Sequence, residues 1–270
     1  MNSKSQYKEQ EAHDYKSVRS WSHVIATEHF TYKKTLRNVL NSGEIKDKDN
    51  FSVLDLACGT GYYSRLFREF TKGEIIGIDI SQEMINEARL EQIKGLNQEL
   101  IEYIKGDCFA DLSKMLNGKK FDIVNACWLY NYCENENILK SALKNVSSVL
   151  KENGYFIGVT TSYKITPGNW KNFVPFGHTQ IPKNRNFNRD KFDNGEITQF
   201  VLFEPNKFVE PFQFQIDNYY YDEKCYRSAF EEANYINLIF YDLEIDPDQY
   251  KEQYEKILIN GMIFTAKMKQ

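Results

Sequence analysis

Two carboxylates and a pair of glycines make up the stretch of this chain best suited to chemistry. The segment Val53-Leu54-Asp55-Leu56-Ala57-Cys58-Gly59-Thr60-Gly61-Tyr62 brings an acid out of an apolar run and follows it with Gly59 and Gly61. Glycines at a strand-to-helix turn let the backbone approach a ligand closely, at the carboxyl end of a sheet, where such folds bind ligands. Asp79 closes the next apolar run, 18 residues beyond Gly61, near the spacing of about 20 at which an acid meets ribose hydroxyls. A third run ends in Gly106-Asp107-Cys108, which offers a side-chain acceptor for an adenine amine and a backbone donor for its ring.

A nicotinamide-binding turn shares this outline, and three details separate the two readings. The third position of the G-x-G-x-x-G pattern is Ser64, which gives up some of the close helix packing that a pyrophosphate turn uses. Asp55 sits ahead of the glycines, where it can order the turn and the water around an ammonium group and would repel a pyrophosphate. Gly106-Asp107-Cys108 then supplies the adenine contacts.

The elements that must hold these residues alternate. The first fifty residues read as helical, with Tyr15, Val18, Trp21, Ser22 and Ile25 on one stripe, until Asn41-Ser42-Gly43 breaks the pattern. Short apolar runs follow at Phe51 to Ala57, Glu74 to Ile80, Ile101 to Lys105, Phe121 to Cys127 and Tyr155 to Thr160. Between them lie helical segments at Tyr62 to Phe70, Gln82 to Ile93 and Glu134 to Leu150, the last followed by a turn at Lys151-Glu152-Asn153-Gly154. Strand alternating with helix predicts a parallel sheet with right-handed crossovers, covered on both faces. From Ser162 to about Gly195 the rhythm stops, and a loop that long inside a compact domain is usually functional or disordered. Strand-like segments at Glu196 to Phe203 and Phe208 to Tyr221 suggest an antiparallel excursion. A helix (Lys224 to Ala233), a strand (Ile236 to Leu243), a helix (Pro247 to Ile257) and a strand (Ile259 to Met268) complete the chain. The expected division is a helical cap over 1–50, an α/β core over 51–161 and 234–270, and an insertion over 162–233 that forms a lid and antiparallel strands at the acceptor site.

Taken together, the Asp-x-x-Cys-Gly-Thr-Gly turn, Gly-Ile-Asp-Ile-Ser, Gly106-Asp107 and Leu-Lys-Glu-Asn-Gly, in that order, resemble the class I S-adenosylmethionine-dependent methyltransferases across most of residues 51 to 160. The resemblance implies a Rossmann-like, seven-stranded, mostly parallel sheet with helices on both faces. It implies that Asp55, Gly59 and Gly61, with Ala57 beside them, hold the methionine part of the cofactor. Asp79 would take the ribose, Asp107 and Cys108 with Gly106 the adenine, and Ile80 and Met84 would sandwich the ring. In the small-molecule branch an N-terminal tyrosine or arginine often closes over the cofactor, which makes Tyr15 and Arg19 candidates.

Methyl transfer from a sulfonium is an in-line displacement with a good leaving group, so alignment and desolvation carry the catalysis. A base is needed only for a protonated acceptor. The fourth run ends Asn125-Ala126-Cys127-Trp128, without the Asn-Pro-Pro-Tyr motif of enzymes that methylate nucleobase amines and without a Pro-Cys nucleophile. Cys127 reads as a small buried thiol at the cofactor edge. Trp128-Leu129-Tyr130-Asn131-Tyr132 follows where the methyl group should emerge, with Trp128 and Tyr132 as candidates for touching cofactor or acceptor, and Tyr130 and Asn131 for the acceptor. His178 is the candidate base, with Tyr132, near neutral pH, against the plainer reading of a surface-loop histidine. Trp170, Phe176, Tyr219 and Tyr220 are candidate acceptor walls, against the plainer reading of ordinary packing and strand formation.

Composition narrows the acceptor. With 34 Lys and Arg against 38 Asp and Glu, the net charge is −4, and the basic footprint of a nucleic-acid enzyme is missing. The expectation is a small-molecule acceptor, with no nucleic acid and no membrane. The alternatives are a protein or RNA methyltransferase, a non-catalytic cofactor-binding module or a nicotinamide oxidoreductase. Five cysteines outside any CxxC pair read as reduced thiols in a cytoplasmic protein, and neither they nor the four histidines fall in metal-ligand spacing.

Overall fold

The computed structural model describes residues 23–94, 101–176, 178–204, 207–209, 214–244 and 261–269. Tyr15, Arg19 and the helix expected over 247–257 lie outside them. Helix α1 (His23–Asn41) leads into β1 (Val53–Leu56), α2 (Tyr62–Arg68), β2 (Ile75–Asp79), α3 (Gln82–Lys94), β3 (Glu102–Lys105), a one-turn α4 (Leu112–Met115) and β4 (Phe121–Cys127). A 3-10 turn at Tyr130–Tyr132 precedes α5 (Glu136–Ser147) and β5 (Leu150–Thr161). A second 3-10 segment (Trp170–Phe176) opens the insertion, which holds β6 (His178–Pro182), β7 (Glu196–Leu202) and β8 (Phe214–Tyr220). The chain returns through α6 (Glu223–Glu232), β9 (Tyr235–Asp242) and β10 (Gly261–Met268).

The main sheet has seven strands in the order β3-β2-β1-β4-β5-β10-β9, and β6-β7-β8 form a separate antiparallel sheet. Strands β1 to β5 pair in parallel, while β10 runs antiparallel between β5 and β9. From β1 the chain winds outward to β3 and then crosses back to place β4 on the other side of β1. That reversal opens a crevice at the carboxyl ends of β1 and β4, where doubly wound sheets bind ligands.

Alternation along each strand splits the core. Leu54, Leu56, Ile78, Val124, Ala126, Phe156 and Phe264 bury themselves with the apolar faces of α5 and α6. Val53, Ile123, Ile157 and Ile263 face α1, α2 and α3 with Tyr32, Leu36, Tyr63, Phe67 and Ile85. Each fully buried side chain of this size contributes about 1.5–3 kcal/mol. On the second face a polar row interrupts the apolar one: Asn125, Asp55, Gly77 and Tyr103 are register neighbours across β4, β1, β2 and β3.

Three local expectations change. The turn expected at 151–154 is absorbed into β5, because a register shift lets Phe121 pair with Leu150 and Ile123 with Tyr155, with Asn153 at φ 61° inside the bulge. Helix α4 was not foreseen, and Asp111 starts it by accepting the Lys114 amide at 2.9 Å. His178 is not in a loop: it begins β6 opposite Leu202 and is 1 % exposed.

Candidate cofactor site

The turn after β1 is built from backbone that few residues tolerate. Ala57, Gly59 and Gly61 all have positive φ, at 52°, 54° and 76°. A Cβ at Gly59 would project into open space, whereas one at Gly61 would collide with the Tyr103 hydroxyl and meet Arg65 Nη1 at 2.9 Å. Gly59 is therefore the open floor and Gly61 the tightly packed hinge that starts α2. Neighbouring strands pin the turn: the Cys58 amide donates to the Ile78 carbonyl at 3.0 Å, and the Gly59 amide to Asp79 Oδ2 at 2.9 Å.

Asp79 also accepts the Ser81 amide at 2.9 Å, so each oxygen holds one backbone donor and keeps acceptor capacity for a hydroxyl. Burial raises its pKa, and backbone amides including those of Ser81 and Gly59 partly offset the rise. Beside it Ile80 is 38 % exposed while Met84 is buried at 3 %, an apolar shelf with one open surface. Gly106 donates to the Asp79 carbonyl at 2.9 Å, and a Cβ there would crowd Met115 Sδ at 2.8 Å. Asp107 is half-buried and accepts the Phe109 amide at 2.9 Å. Cys108 packs under the turn, its Sγ accepting the Ala57 amide at 3.3 Å, and burial pushes its thiol pKa up.

Asp55 is 1 % exposed. It accepts Ser64 Oγ at 2.5 Å and Asn125 Nδ2 at 2.7 Å, and the Tyr32 hydroxyl donates to Asn125 Oδ1 at 2.6 Å. Desolvation drives its pKa up to about 6 against these two donors. Cys127 is buried and donates to Asn125 Oδ1 at 3.3 Å.

Trp128 closes this edge. It has φ 62°, a conformation uncommon for a bulky residue and found where surroundings enforce it. Here its amide bonds the Val159 carbonyl at 2.7 Å, and its indole donates to Glu28 Oε2 at 3.0 Å. Glu28, 2 % exposed on α1, also accepts the Tyr63 hydroxyl. Gly261 leaves room for the indole, since a Cβ there would sit 2.9 Å from Trp128 Cη2.

The remaining candidates scatter. Tyr132 is half-buried in the 3-10 turn beside Trp128. Tyr130 points into the core, edge-on to Phe156 and Phe264, so its ring is spent on packing. Asn131 ties the turn to the end of β5 through Thr160 and Thr161. Pairing of β6, β7 and β8 places His178, Gln180, Thr198, Asn218 and Tyr220 on one face of the small sheet, and Thr179, Val201 and Tyr219 on the other. Tyr219 and Tyr220 therefore cannot wall the same cavity. Trp170 packs with Phe187 and Phe208 against Ile181 and Val201, on the face away from His178. The Phe176 side chain lies outside the described residues.

The site residues that sequence reasoning missed are Glu28, Tyr32, Ser64 as a partner of Asp55, Tyr103 and Asn125. Asn125 carried a signal, an amide at an inward position of an otherwise apolar strand.

An acid at the turn, an acid at the end of β2, an apolar shelf and a third acid, all around the switch point, fit an adenosyl amino acid. The fold is the Rossmann-like fold of S-adenosylmethionine-dependent methyltransferases. Residues 47–172 match the family described as a methyltransferase domain. The mRNA cap guanine-N(7) methyltransferase of Eremothecium gossypii is 31% identical over 164 residues, 56% of this chain and 36% of that relative, so the chain spans about a third of its length. The fold resembles that of an S-adenosylmethionine-dependent methyltransferase from Clostridium acetobutylicum, with TM-score 0.54, 20% identity and 91% of each chain covered. It also resembles magnesium protoporphyrin IX methyltransferase from Synechocystis with S-adenosylmethionine bound, at TM-score 0.54 and 13% identity, covering 91% of this chain and 81% of that one. Among the described residues no helix is long and apolar enough to cross a membrane, and no group of three His, Cys, Asp or Glu could hold a metal ion.

Proposed function

We propose that the protein transfers the methyl group of S-adenosylmethionine to a small-molecule acceptor. The observation that carries the cofactor half is the pair Asp55 and Asp79 on either side of an open glycine floor at the strand-order reversal. When bound, the cofactor supplies an electrophilic methyl on a sulfonium. Asp79 would hold the ribose hydroxyls and Asp107 with the Cys108 amide the adenine edge, with Ile80 and Met84 on its faces. Asp55 would face the ammonium group. Trp128 and Tyr132 would border the reacting end, where water exclusion and alignment count most. The chain's acceptor side is then the three-stranded insertion, and His178 is its candidate proton acceptor for an acceptor that arrives protonated.

A net charge of −4 and the absence of a basic footprint favour a small molecule. The similarity to a cap-methylating relative favours a second reading, an RNA acceptor. Incubation with methyl-labelled S-adenosylmethionine and either whole or desalted cell extract separates them. Label in small molecules that disappears on desalting supports the proposal. Label only in RNA or protein moves the acceptor to that class, and calorimetry with no S-adenosylhomocysteine binding would overturn both readings.

A further inference from the structure

The polar row behind the glycine turn has a direction. An ionised Asp55 can only accept hydrogen bonds, so Asn125 must present its amide nitrogen to it, as it does at 2.7 Å. That leaves Asn125 Oδ1 facing Tyr32, which must then donate, as it does at 2.6 Å. Ser64 completes the set by donating to the other carboxylate oxygen. Every proton in Tyr32–Asn125–Asp55–Ser64 points toward the acid. Protonating Asp55 would either force Ser64 to turn and accept or set the new proton against the Asn125 amide.

Resting on the cofactor reading above, we infer that Asn125 and Tyr32 are positioning residues that hold the buried Asp55 as a carboxylate for the ammonium group of the cofactor, so that α1 helps to set the pH range over which the amino-acid half binds. Neither residue contacts the turn's open floor; both act through Asp55. Burial works against them and raises the Asp55 pKa to about 6, with Asp79 adding to the rise. Among the described residues, the other ionisable groups facing this pocket are Glu28 and Tyr32 on α1, Cys127 on β4, Cys58 in the turn, Cys108 beneath it and Tyr103 on β3. Arg65 on α2 donates to the Thr60 carbonyl at 2.7 Å and lies beside Tyr103. Burial holds Tyr32 and Cys58 in their protonated forms at neutral pH.

The test is calorimetric binding of two probes to the full chain from pH 5 to pH 8. S-adenosylhomocysteine carries the ammonium group; 5′-methylthioadenosine shares the adenosine and lacks the amino-acid half. Wild type should bind the first with an affinity that falls by up to about tenfold per pH unit below a bend near the Asp55 pKa of about 6, the slope of one linked proton, and the second with little dependence on pH. Tyr32→Phe, nearly isosteric, should move the bend upward by a fraction of a pH unit. Asn125→Ala should move it by about one, weakening S-adenosylhomocysteine about fivefold at pH 6 and leaving methylthioadenosine within about twofold. Identical profiles in wild type and Tyr32→Phe, or parallel loss of both probes, would overturn the inference while leaving the cofactor reading intact. Absence of any binding to wild type would sink both.

Discussion

Gly61 takes φ 76° where the Tyr103 hydroxyl and Arg65 already fill the space of a side chain. A left-handed conformation costs an L-residue about 1–2 kcal/mol before any collision, so Gly61→Ala should lower unfolding free energy by at least that much in a urea titration. It should also weaken S-adenosylhomocysteine binding, because α2 begins here. Gly59→Ala meets no protein atom and pays for φ 54° alone; a smaller stability loss than at Gly61, with binding lost at least as strongly, is the expected contrast. At this scale the sequence disclosed the residues proposed to face the cofactor and concealed those packed behind them. Asp55, Gly59, Gly61 and Asp79 stand out because their types are strange for an apolar strand or a helix start. Tyr32 and Glu28 look like any other helix residue, and only the packing of α1 across the strand ends turns them into partners of Asn125 and Trp128.

Elements were legible where one periodicity ran long enough. β4 begins and ends at the residues its apolar run suggested, and α5 shows the Leu139, Ala142 and Val146 stripe on its buried face. Its first turn is held by Asn135, whose side chain accepts the Ile138 amide at 3.0 Å. Asn135→Ala should cost about 1 kcal/mol in thermal unfolding and leave cofactor affinity unchanged, since the cap lies away from the glycine turn. The hidden elements had other causes. β6 is five residues ending in a proline, and Gln180 and Thr198 bond each other on a buried face that hydropathy scores as polar. Such a strand is held by ladder and side-chain hydrogen bonds, which leave no apolar alternation to read. β5 disguised its start because a bulge places Asn153 and Gly154, turn residues by type, inside a paired strand.

For the molecule as a whole, Asp55 links binding to stability with a definite sign. In the unfolded chain it titrates at the ordinary value of 3.8, and in the fold at about 6. The folded state thus holds the proton more tightly. Between about pH 4 and pH 6 this group's contribution becomes less favourable as pH rises, and above pH 6 its full cost is in place, on the order of 3 kcal/mol. Asp55→Asn keeps the shape and removes the charge, with Ser64 free to turn and accept. Its unfolding midpoint should exceed that of wild type at pH 7.5 and converge with it near pH 4, while S-adenosylhomocysteine binding falls. A variant less stable than wild type at pH 7.5 would contradict this account. The overall topology was legible because five alternating units leave a parallel sheet few arrangements. The separateness of the small sheet was not, since strand-like segments do not say which sheet they join.

The insertion leaves the core and rejoins it at one place. The Tyr220 hydroxyl at its exit bonds the Tyr163 carbonyl at its entrance at 2.8 Å, and Tyr221 anchors the return through the Cys133 carbonyl at 2.8 Å. A segment whose two ends already touch can change length at little entropic cost, about 0.6 kcal/mol per doubling. The proposed acceptor half is thus a cassette plugged into a single socket. A descendant lineage, or an engineer, could swap the cassette for another and inherit the methyl-donor half unchanged.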